Sequence, residues 1–274
     1  MNRRNFLTGS LVSATAAVAT AATASLPLHA SQEQGATPAS SSSAGEYYEL
    51  RRYRILSGPE RKLADDYFRD ALIPALNRLG VKPVGIFNTA IGEDPSAFVL
   101  MPAAKAETLI TVDQRLNDDA EYQKAGAAFL NAPARDPGFV RMESSLLSSI
   151  VAALPKLTPA PTTGPRIFEM RTYESTTYQD HRRKVEMMGA GEIGIFKKYG
   201  FWPIFVSDSL IGPRQPCLTY MLGFPSLAAR EKSWSDFTAA PEWKALNTNQ
   251  RYSFEPLVSA VNNIMLSPTA YSQI

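Results

Sequence analysis

Seven residues of this sequence recur at a constant spacing of 120 positions, and this regularity constrains the fold more than any other feature. Identities at one fixed offset, without an intervening gap, are the signature of an internal repeat. The sequence therefore predicts two tandem copies of one structural unit, at residues 46–154 and 166–274. The matching pairs are Glu49 with Glu169, Arg51 with Arg171, Tyr53 with Tyr173, Gly80 with Gly200, Pro83 with Pro203, Ile91 with Ile211, and Gly92 with Gly212.

Hydrophobic periodicity predicts the same element order in both copies. In the first copy, alternation from 48 to 53 indicates a strand, and apolar residues at helical spacing follow until Gly80. Two strands (84–91 and 98–101), helices (103–116 and 119–130) and a last strand (139–151) complete it. The second copy repeats this pattern at 166–173, 178–199, 202–210, 217–224, 226–238 and 252–266. This is the ferredoxin-like βαββαβ order of an α+β fold. Its sheet has one bare face, so we expect the two sheets to pair.

Three segments outside the copies have a different composition. Residues 1–30 contain Arg3 and Arg4 before a short, weakly apolar stretch and small residues, which is typical of a twin-arginine signal peptide cleaved after Ala24 or Ala30. Residues 31–45 are rich in Ser, Gln, Ala and Gly and predict a disordered tether. Residues 155–165 are proline-rich and predict an extended linker. We therefore expect a periplasmic or secreted protein.

Charge and cysteine content exclude several classes of protein. Loss of residues 1–30 lowers the Lys and Arg count from 28 to 26, equal to the 26 Asp and Glu residues. A neutral mature chain argues against nucleic acid as a main partner. No later apolar run is long enough to predict an integral membrane span. Cys217 is the one cysteine of the sequence, so an intramolecular disulfide is impossible.

The second copy resembles the NIPSNAP family over about 100 residues. The resemblance rests on Glu-Met-Arg-Thr-Tyr at 169–173, Phe-Lys-Lys-Tyr-Gly at 196–200, Leu-Thr-Tyr-Met at 218–221, and the run from Ala228 through Arg230 and Trp234 to Trp243. The first copy keeps Glu-x-Arg-x-Tyr but lacks the Arg-Glu-x-x-Trp helix. The resemblance implies a dimeric α+β barrel, a fold shared by small monooxygenases, isomerases and haem enzymes. It implies no established reaction and no catalytic residues, so whether the chain is an enzyme stays open.

Two polar sets are the candidate site residues. Glu192, Tyr220, Arg230 and Trp234 would place a carboxylate, a phenol, a guanidinium and an indole between sheet and helices, and we interpret them as ligand-binding candidates. Packing is the alternative role of Trp234. The second set alternates along the first strand of each copy, and we interpret it as a polar ladder at the interface of the repeats, with a polar floor to a pocket as the functional alternative. Its members are Glu49, Arg51, Tyr53, Glu169, Arg171 and Tyr173.

Two further patterns favour a structural role over cofactor or metal binding. Gly189, Gly191 and Gly194 spell a dinucleotide-binding motif, but a charged helical run precedes them where that motif requires a strand, so a helix kink is expected. His181 is the one histidine after residue 30, which excludes a zinc site built from several histidines. A solvated helix start is its expected role, and an axial haem ligand is the minor alternative. No other cofactor or metal is predicted.

These observations favour an exported NIPSNAP-like protein that binds a small apolar or aromatic ligand, or a protein partner. The competing hypothesis is a cofactor-independent monooxygenase or isomerase, with Glu192 as general base and Arg230 stabilising an anion. A third treats the repeat as an intramolecular dimer whose outer surface docks other proteins. Self-association into a homo-oligomer is compatible with each.

Overall fold

The structure of the chain is a computed structural model. The structure describes residues 45–55, 58–91, 95–252 and 257–274. The predicted signal peptide, the tether as far as residue 44, and the repeat residue Gly92 lie outside the described residues.

Eight strands form the sheet, and they occur along the chain in the predicted order. They are β1 (Tyr47–Arg54), β2 (Gly85–Ile91), β3 (Ser96–Ala103), β4 (Arg141–Ser149), β5 (Ile167–Glu174), β6 (Trp202–Ile211), β7 (Cys217–Phe224) and β8 (Ala260–Pro268).

Ten helices cover the outer face of this sheet in the described part of the chain. Those of the first half are α1 (Pro59–Tyr67), α2 (Ile73–Arg78), α3 (Ala106–Ile110), α4 (Val112–Asn117), α5 (Ala120–Ala125) and α6 (Ala127–Leu130). Those of the second half are α7 (Tyr178–Met187), α8 (Ile193–Lys198), α9 (Leu227–Ala239) and α10 (Pro241–Asn247).

The strands close into one antiparallel barrel in the order β1-β3-β2-β8-β5-β7-β6-β4. Each half supplies four neighbouring strands in the ferredoxin-like order, so the predicted α+β fold is confirmed. Two seams join the halves: β2 pairs with β8, and β4 pairs with β6. The bare sheet faces meet across the barrel lumen, and the helices lie outside. Pairing at the seams therefore gives every strand two hydrogen-bonded neighbours, which removes the unpaired edges of an open sheet.

One end of the lumen is filled by large apolar side chains. The rings of Tyr48 and Phe205 lie 5.4 Å apart across it, and those of Phe87 and Phe168 lie 5.0 Å apart edge to face. Ile274 is fully buried in the same cluster. This end is therefore a packed core that both halves share.

Both halves interrupt the long first helix at the same place. A π-helical turn at Phe68–Leu72 separates α1 from α2, and one at Met188–Glu192 separates α7 from α8. Gly191 leaves the helical conformation with φ of 152°, which agrees with the expected kink and not with a phosphate-binding loop. Gly80 and Gly200 end the two helices with φ of 81° and 84°, a left-handed conformation that glycine adopts without strain.

The last strand and the linker differ in detail from their predictions. We expected the strand to begin at residue 252, but β8 begins at Ala260, because Leu257 and Val258 pack into the helix-facing core instead. The linker contains no helix or strand, as expected. It is nevertheless fixed to the barrel, since Glu46 accepts a hydrogen bond from the Leu157 amide and Ile204 accepts one from the Thr158 amide.

Replacing Phe168 with alanine is expected to destabilise the whole barrel. Because the ring is fully buried against Phe87 of the other half, the free energy of unfolding should fall by about 3–5 kcal/mol. A urea melt should keep one transition, and the exposed control Leu227→Ala should change stability by less than about 0.5 kcal/mol. Two separated transitions in the Phe168 variant would contradict a core shared by both halves.

Candidate functional site

A single buried carboxylate organises the polar network of the second half. Glu169 on β5 is fully buried and accepts hydrogen bonds from three side chains. Arg171 Nη1 donates at 2.6 Å, Arg230 Nε and Nη2 donate at 2.7 and 2.8 Å, and Trp234 Nε1 donates at 2.8 Å. Burial alone would raise the pKa of Glu169, but the hydrogen bonds and positive charges of these donors lower it. Glu169 is therefore held as a carboxylate.

The network continues through an arginine and two tyrosines. The Arg171 guanidinium lies 4.6 Å from the Trp234 ring centre and donates from Nε to the Tyr173 hydroxyl at 3.2 Å. The Tyr220 hydroxyl donates to that of Tyr173 at 2.7 Å. Burial raises the pKa of both phenols. The polar groups of Arg171, Tyr173 and Tyr220 are therefore hydrogen-bonded within this network.

Glu192 forms a buried ion pair with Lys184. Nζ of Lys184 lies 2.6 Å from Oε2 of Glu192, and neither side chain is more than 1% exposed. Burial lowers the pKa of Lys184, and the same ammonium lies 5.2 Å from the Tyr173 ring. A carboxylate bound to its own ammonium partner is not a general base aimed at a cavity, so the catalytic role considered for Glu192 is not supported by this geometry.

The structure thus brings the four ligand-binding candidates close together, but their polar atoms bind Lys184, Tyr173 and Glu169 and not one another. The six predicted ladder residues need a correction. They share one face of β1 and of β5, as expected, but that face points to the helices, and their hydrogen bonds lie within their own half. The described interface of the two halves consists of the seams and the lumen, so these six residues form no polar ladder between the halves.

The corresponding residues of the first half make fewer side-chain hydrogen bonds among the described residues. Arg51 donates from Nε to Glu49 Oε1 at 2.6 Å, and its Nη2 lies 2.9 Å from Oδ1 of Asp113 on α4. Glu49 accepts a further hydrogen bond from the Ser144 hydroxyl at 2.7 Å. Asp113 is largely exposed, whereas Arg51 is buried. The arginine therefore links the buried sheet face to a carboxylate at the surface.

A cavity of about 210 Å³ opens beside Arg51, and we call it the first-half cavity. It lies between β1, the helices α1 and α4 to α6, and the start of β4. The Tyr67 and Tyr122 hydroxyls lie 2.7 Å apart in its wall, and the Phe129 ring stacks on Tyr67 at 4.1 Å. Its lining residues are Arg51, Tyr53, Tyr67, Asp113, Leu116, Asn117, Tyr122, Phe129, Leu130, Phe139 and Met142.

Aromatic side chains fill the equivalent gap in the second half. The Trp234 ring lies edge to face with Phe196, Phe201 and Phe237, at centre distances of 4.9 to 5.6 Å. The Trp243 ring lies tilted against Phe237, with the ring centres 4.5 Å apart. The corresponding segment of the first half is divided into α3 and α4, which contain no tryptophan. Rings therefore fill, in the second half, the space that the first-half cavity occupies in the other half.

His181 lies near the surface of the second half, but it is not solvated as expected. It is only 7% exposed, its Nε2 lies 2.7 Å from Oδ1 of Asp208, and its Nδ1 is buried without a partner. His181 does not line the first-half cavity, and haem ligation through its ring stays a prediction. Among the described residues, no group of three or more His, Cys, Asp or Glu side chains is arranged to hold a metal ion.

Several residues of these networks were not predicted. In the sequence, Lys184 lies in a charged helical run, and no pattern marks Asp113, Tyr67 or Tyr122 as a site residue. A lysine facing the apolar side of α7, eight positions before Glu192, was the available signal for the buried pair. No periodicity could show that Asp113 reaches Arg51, because the contact joins α4 to β1.

The family comparison matches one half of the chain, whereas the structural comparisons match both halves. Residues 168–273 match the NIPSNAP family model. The family match therefore covers the packed second half and not the half with the cavity. No curated protein matches the chain significantly.

Solved structures resemble the whole barrel. A provisionally assigned monooxygenase from Lactobacillus acidophilus has a TM-score of 0.55 at 5% identity, over 82% of this chain and 94% of its own. One from Fusobacterium nucleatum has a TM-score of 0.53 at 9% identity, over 82% and 93%. An anthrone oxidase-like protein has a TM-score of 0.52 at 11% identity, over 83% and 93%. At these identities, the likeness establishes the barrel fold.

The described residues include no helix with the length and apolar character needed to cross a membrane.

Trp234→Ala is expected to destabilise the protein as a core truncation does. Because three rings and the Glu169 carboxylate surround the indole, urea melts should show a loss of about 3–5 kcal/mol. Trp234→Phe keeps the ring contacts and loses only the Nε1 hydrogen bond, so its loss should be nearer 1–3 kcal/mol, about the desolvation cost of an unpaired buried acceptor. A loss below about 1 kcal/mol in the alanine variant would show that the indole borders a void and return it to the ligand-site candidates.

Proposed function

We propose that this is an exported protein that binds a small aromatic molecule in the first-half cavity. The observation that carries the proposal is the contrast between the halves. The gap between sheet and helices holds a cavity lined by rings and by Arg51 in the first half, and it is packed with rings in the second.

The lining of the cavity favours a planar ligand with a polar substituent. The rings of Tyr67, Phe129 and Phe139 form a continuous stacked wall, on which an aromatic ligand can pack. The Tyr67 and Tyr122 hydroxyls and Arg51 supply hydrogen-bonding groups on the other sides. A mostly apolar cleft with a few convergent polar groups is the usual form of a small-molecule site.

A cofactor-independent monooxygenase or isomerase is the second candidate function. Its support is the barrel shared with proteins named as monooxygenases and as anthrone oxidase-like, together with one carboxylate, Asp113, among the cavity-lining residues. Burial raises the pKa of Tyr67 and of Tyr122, so neither phenol supplies a base near neutral pH. Ligand binding is therefore the leading function. Oxygen uptake on addition of anthrone that Asp113→Asn abolishes would favour the enzyme.

Export and duplication complete the proposal. The order of Arg3 and Arg4, an apolar stretch and small residues supports a twin-arginine signal at residues 1–30, and hence a periplasmic or secreted location. The constant 120-residue offset, the identical strand order of the halves and the two matching π-helical turns support a tandem duplication.

Naphthol binding tests the cavity. Leu130→Trp places a large ring at the partly exposed edge of the cavity, and it should weaken naphthol binding by at least about tenfold in a calorimetric titration. Leu227→Trp adds the same ring at an exposed position on α9 outside the cavity, and it should bind as the unchanged protein does. Equal affinity of the two variants, with both folded by circular dichroism, would contradict the proposed site.

Replacing Arg3 and Arg4 with lysine tests export. The double variant should accumulate as uncleaved precursor in the cytoplasm, because the twin-arginine route reads the arginine pair and not the charge alone. Cell fractionation and the mass of the purified chain measure both outcomes. The control replaces the exposed Arg135 and Arg182 with lysine and should be exported normally. Normal cleavage and export of the first variant would show that residues 1–30 are not such a signal.

A further inference from the structure

A groove of about 520 Å³ lies beside α7 at the seam between β4 and β6, and we call it the seam groove. Its surface is mainly apolar, and no lysine or arginine is among the described residues that line it. It shares no lining residue with the first-half cavity. The lining residues of the seam groove are 148–152, 185–186, 189–190, Asp208 and Tyr252.

The other seam, between β2 and β8, has the same local backbone. After β4, the Ile150 amide donates to the Val206 carbonyl at 2.9 Å, and after β8, the Thr269 amide donates to the Ile86 carbonyl at 3.0 Å. The two acceptors lie 120 positions apart, which is the spacing of the repeated residues. In both places the amide three residues after the donor then closes a turn by donating to the donor's own carbonyl. The two segments can therefore be aligned residue by residue.

A tyrosine occupies, at the β2–β8 seam, the place that Ala152 has in the seam groove. Tyr271 and Ala152 each lie two residues after the aligned amide donor. The Tyr271 ring is partly buried against the core of the first half, and its hydroxyl donates to Asp65 Oδ1 at 2.8 Å. Val185, which lies 120 positions after Asp65, lines the seam groove. The seam groove therefore includes the space that an aromatic ring fills at the other seam.

Asp208 gives the seam groove a negative charge. Its side chain is 35% exposed, and its Oδ1 lies 2.7 Å from His181 Nε2. A neutral His181 ring with its proton on Nε2 fits this contact, because a second proton on the buried Nδ1 would have no acceptor among the described residues. Glu186, the other carboxylate of the lining, already accepts hydrogen bonds from Arg251 and Tyr252. Asp208 is therefore the carboxylate that suits a cationic ligand.

We propose that the seam groove binds a small arylalkyl amine as its ammonium ion. The aromatic ring would lie against Ala152 and Val185, in the position that Tyr271 has at the other seam. The ammonium would donate a charge-assisted hydrogen bond to Asp208. Burial of the ring supplies apolar contact area, and the ion pair discriminates against neutral and anionic molecules of the same size. This site differs from the first-half cavity in position and in the charge of its ligand.

Phenethylamine is the probe that tests this site. Calorimetric titration of the full chain at neutral pH and low ionic strength should show saturable binding with Kd below about 1 mM. Phenethyl alcohol, which has the same ring and no charge, should bind at least about fivefold more weakly. Asp208→Asn introduces the residue found at the repeat position Asn88, so the fold should be kept. This variant should weaken amine binding by at least about fivefold and alcohol binding by less than about twofold.

Ala152→Tyr tests the position of the ring. It introduces the side chain that the other seam carries at the aligned residue, and it should weaken both amine and alcohol binding by at least about tenfold. Leu227→Tyr adds the same ring at an exposed position of α9 outside the groove, and Leu130→Trp fills the first-half cavity. Both of these variants should bind phenethylamine as the unchanged protein does.

Three results would overturn the proposal. The first is the absence of phenethylamine binding below about 1 mM. The second is unchanged amine binding in the Ala152→Tyr variant when circular dichroism shows that it is folded. The third is an equal loss of amine and alcohol binding in Asp208→Asn, because charge would then play no part in recognition.

Discussion

Strand pairing at the two seams is the interaction on which the rest of this structure depends. A single βαββαβ half covers only one face of its sheet, and the exposed face of four strands would be a large apolar surface. Pairing of β2 with β8 and of β4 with β6 turns two such faces inward, and Phe87 and Phe168 then pack across the closed lumen. The helices remain outside, so each half keeps its own gap between sheet and helices. The proposed ligand site of the first half lies in one of these gaps.

The same three residue types face the gap in each half, but they make different contacts. A Glu-x-Arg-x-Tyr strand faces the helices in each half. In the second half, Glu169 receives four donated hydrogen bonds, and Trp234 covers it. Removing one partner from such a buried charged network is costly, because the remaining charge is left uncompensated. In the first half, Glu49 accepts hydrogen bonds from only two side chains among the described residues, Arg51 and Ser144, and Arg51 also pairs with Asp113 at the surface. The NIPSNAP match covers only the half in which the network is complete.

The sequence predicted the architecture well and the site poorly, for a physical reason. Element order and the alternation along β1 and β5 are local properties, and periodicity reports them directly. The sequence showed correctly which residues share one face of β1 and of β5. It could not show that the Glu-x-Arg-x-Tyr face points to the helices, because both faces of a barrel strand are buried. The partners of Glu192 and Arg51 depend on helix packing, which a single sequence does not encode in its spacing. The apolar content of the β8 region similarly predicted a strand where Leu257 and Val258 belong to the outer core.

Closure of the barrel within one polypeptide has a consequence for how its sites can change. In a barrel made of two identical chains, symmetry places every substitution in both subunits, so a residue that opens one gap opens the other as well. Here the residue at 234 can become a tryptophan while the first half keeps its cavity, since each position occurs once. One half can therefore retain the packing that stabilises the barrel, and the other is free to alter its lining without a matching cost to stability. The fold thus allows the space between sheet and helices to be packed differently in the two halves.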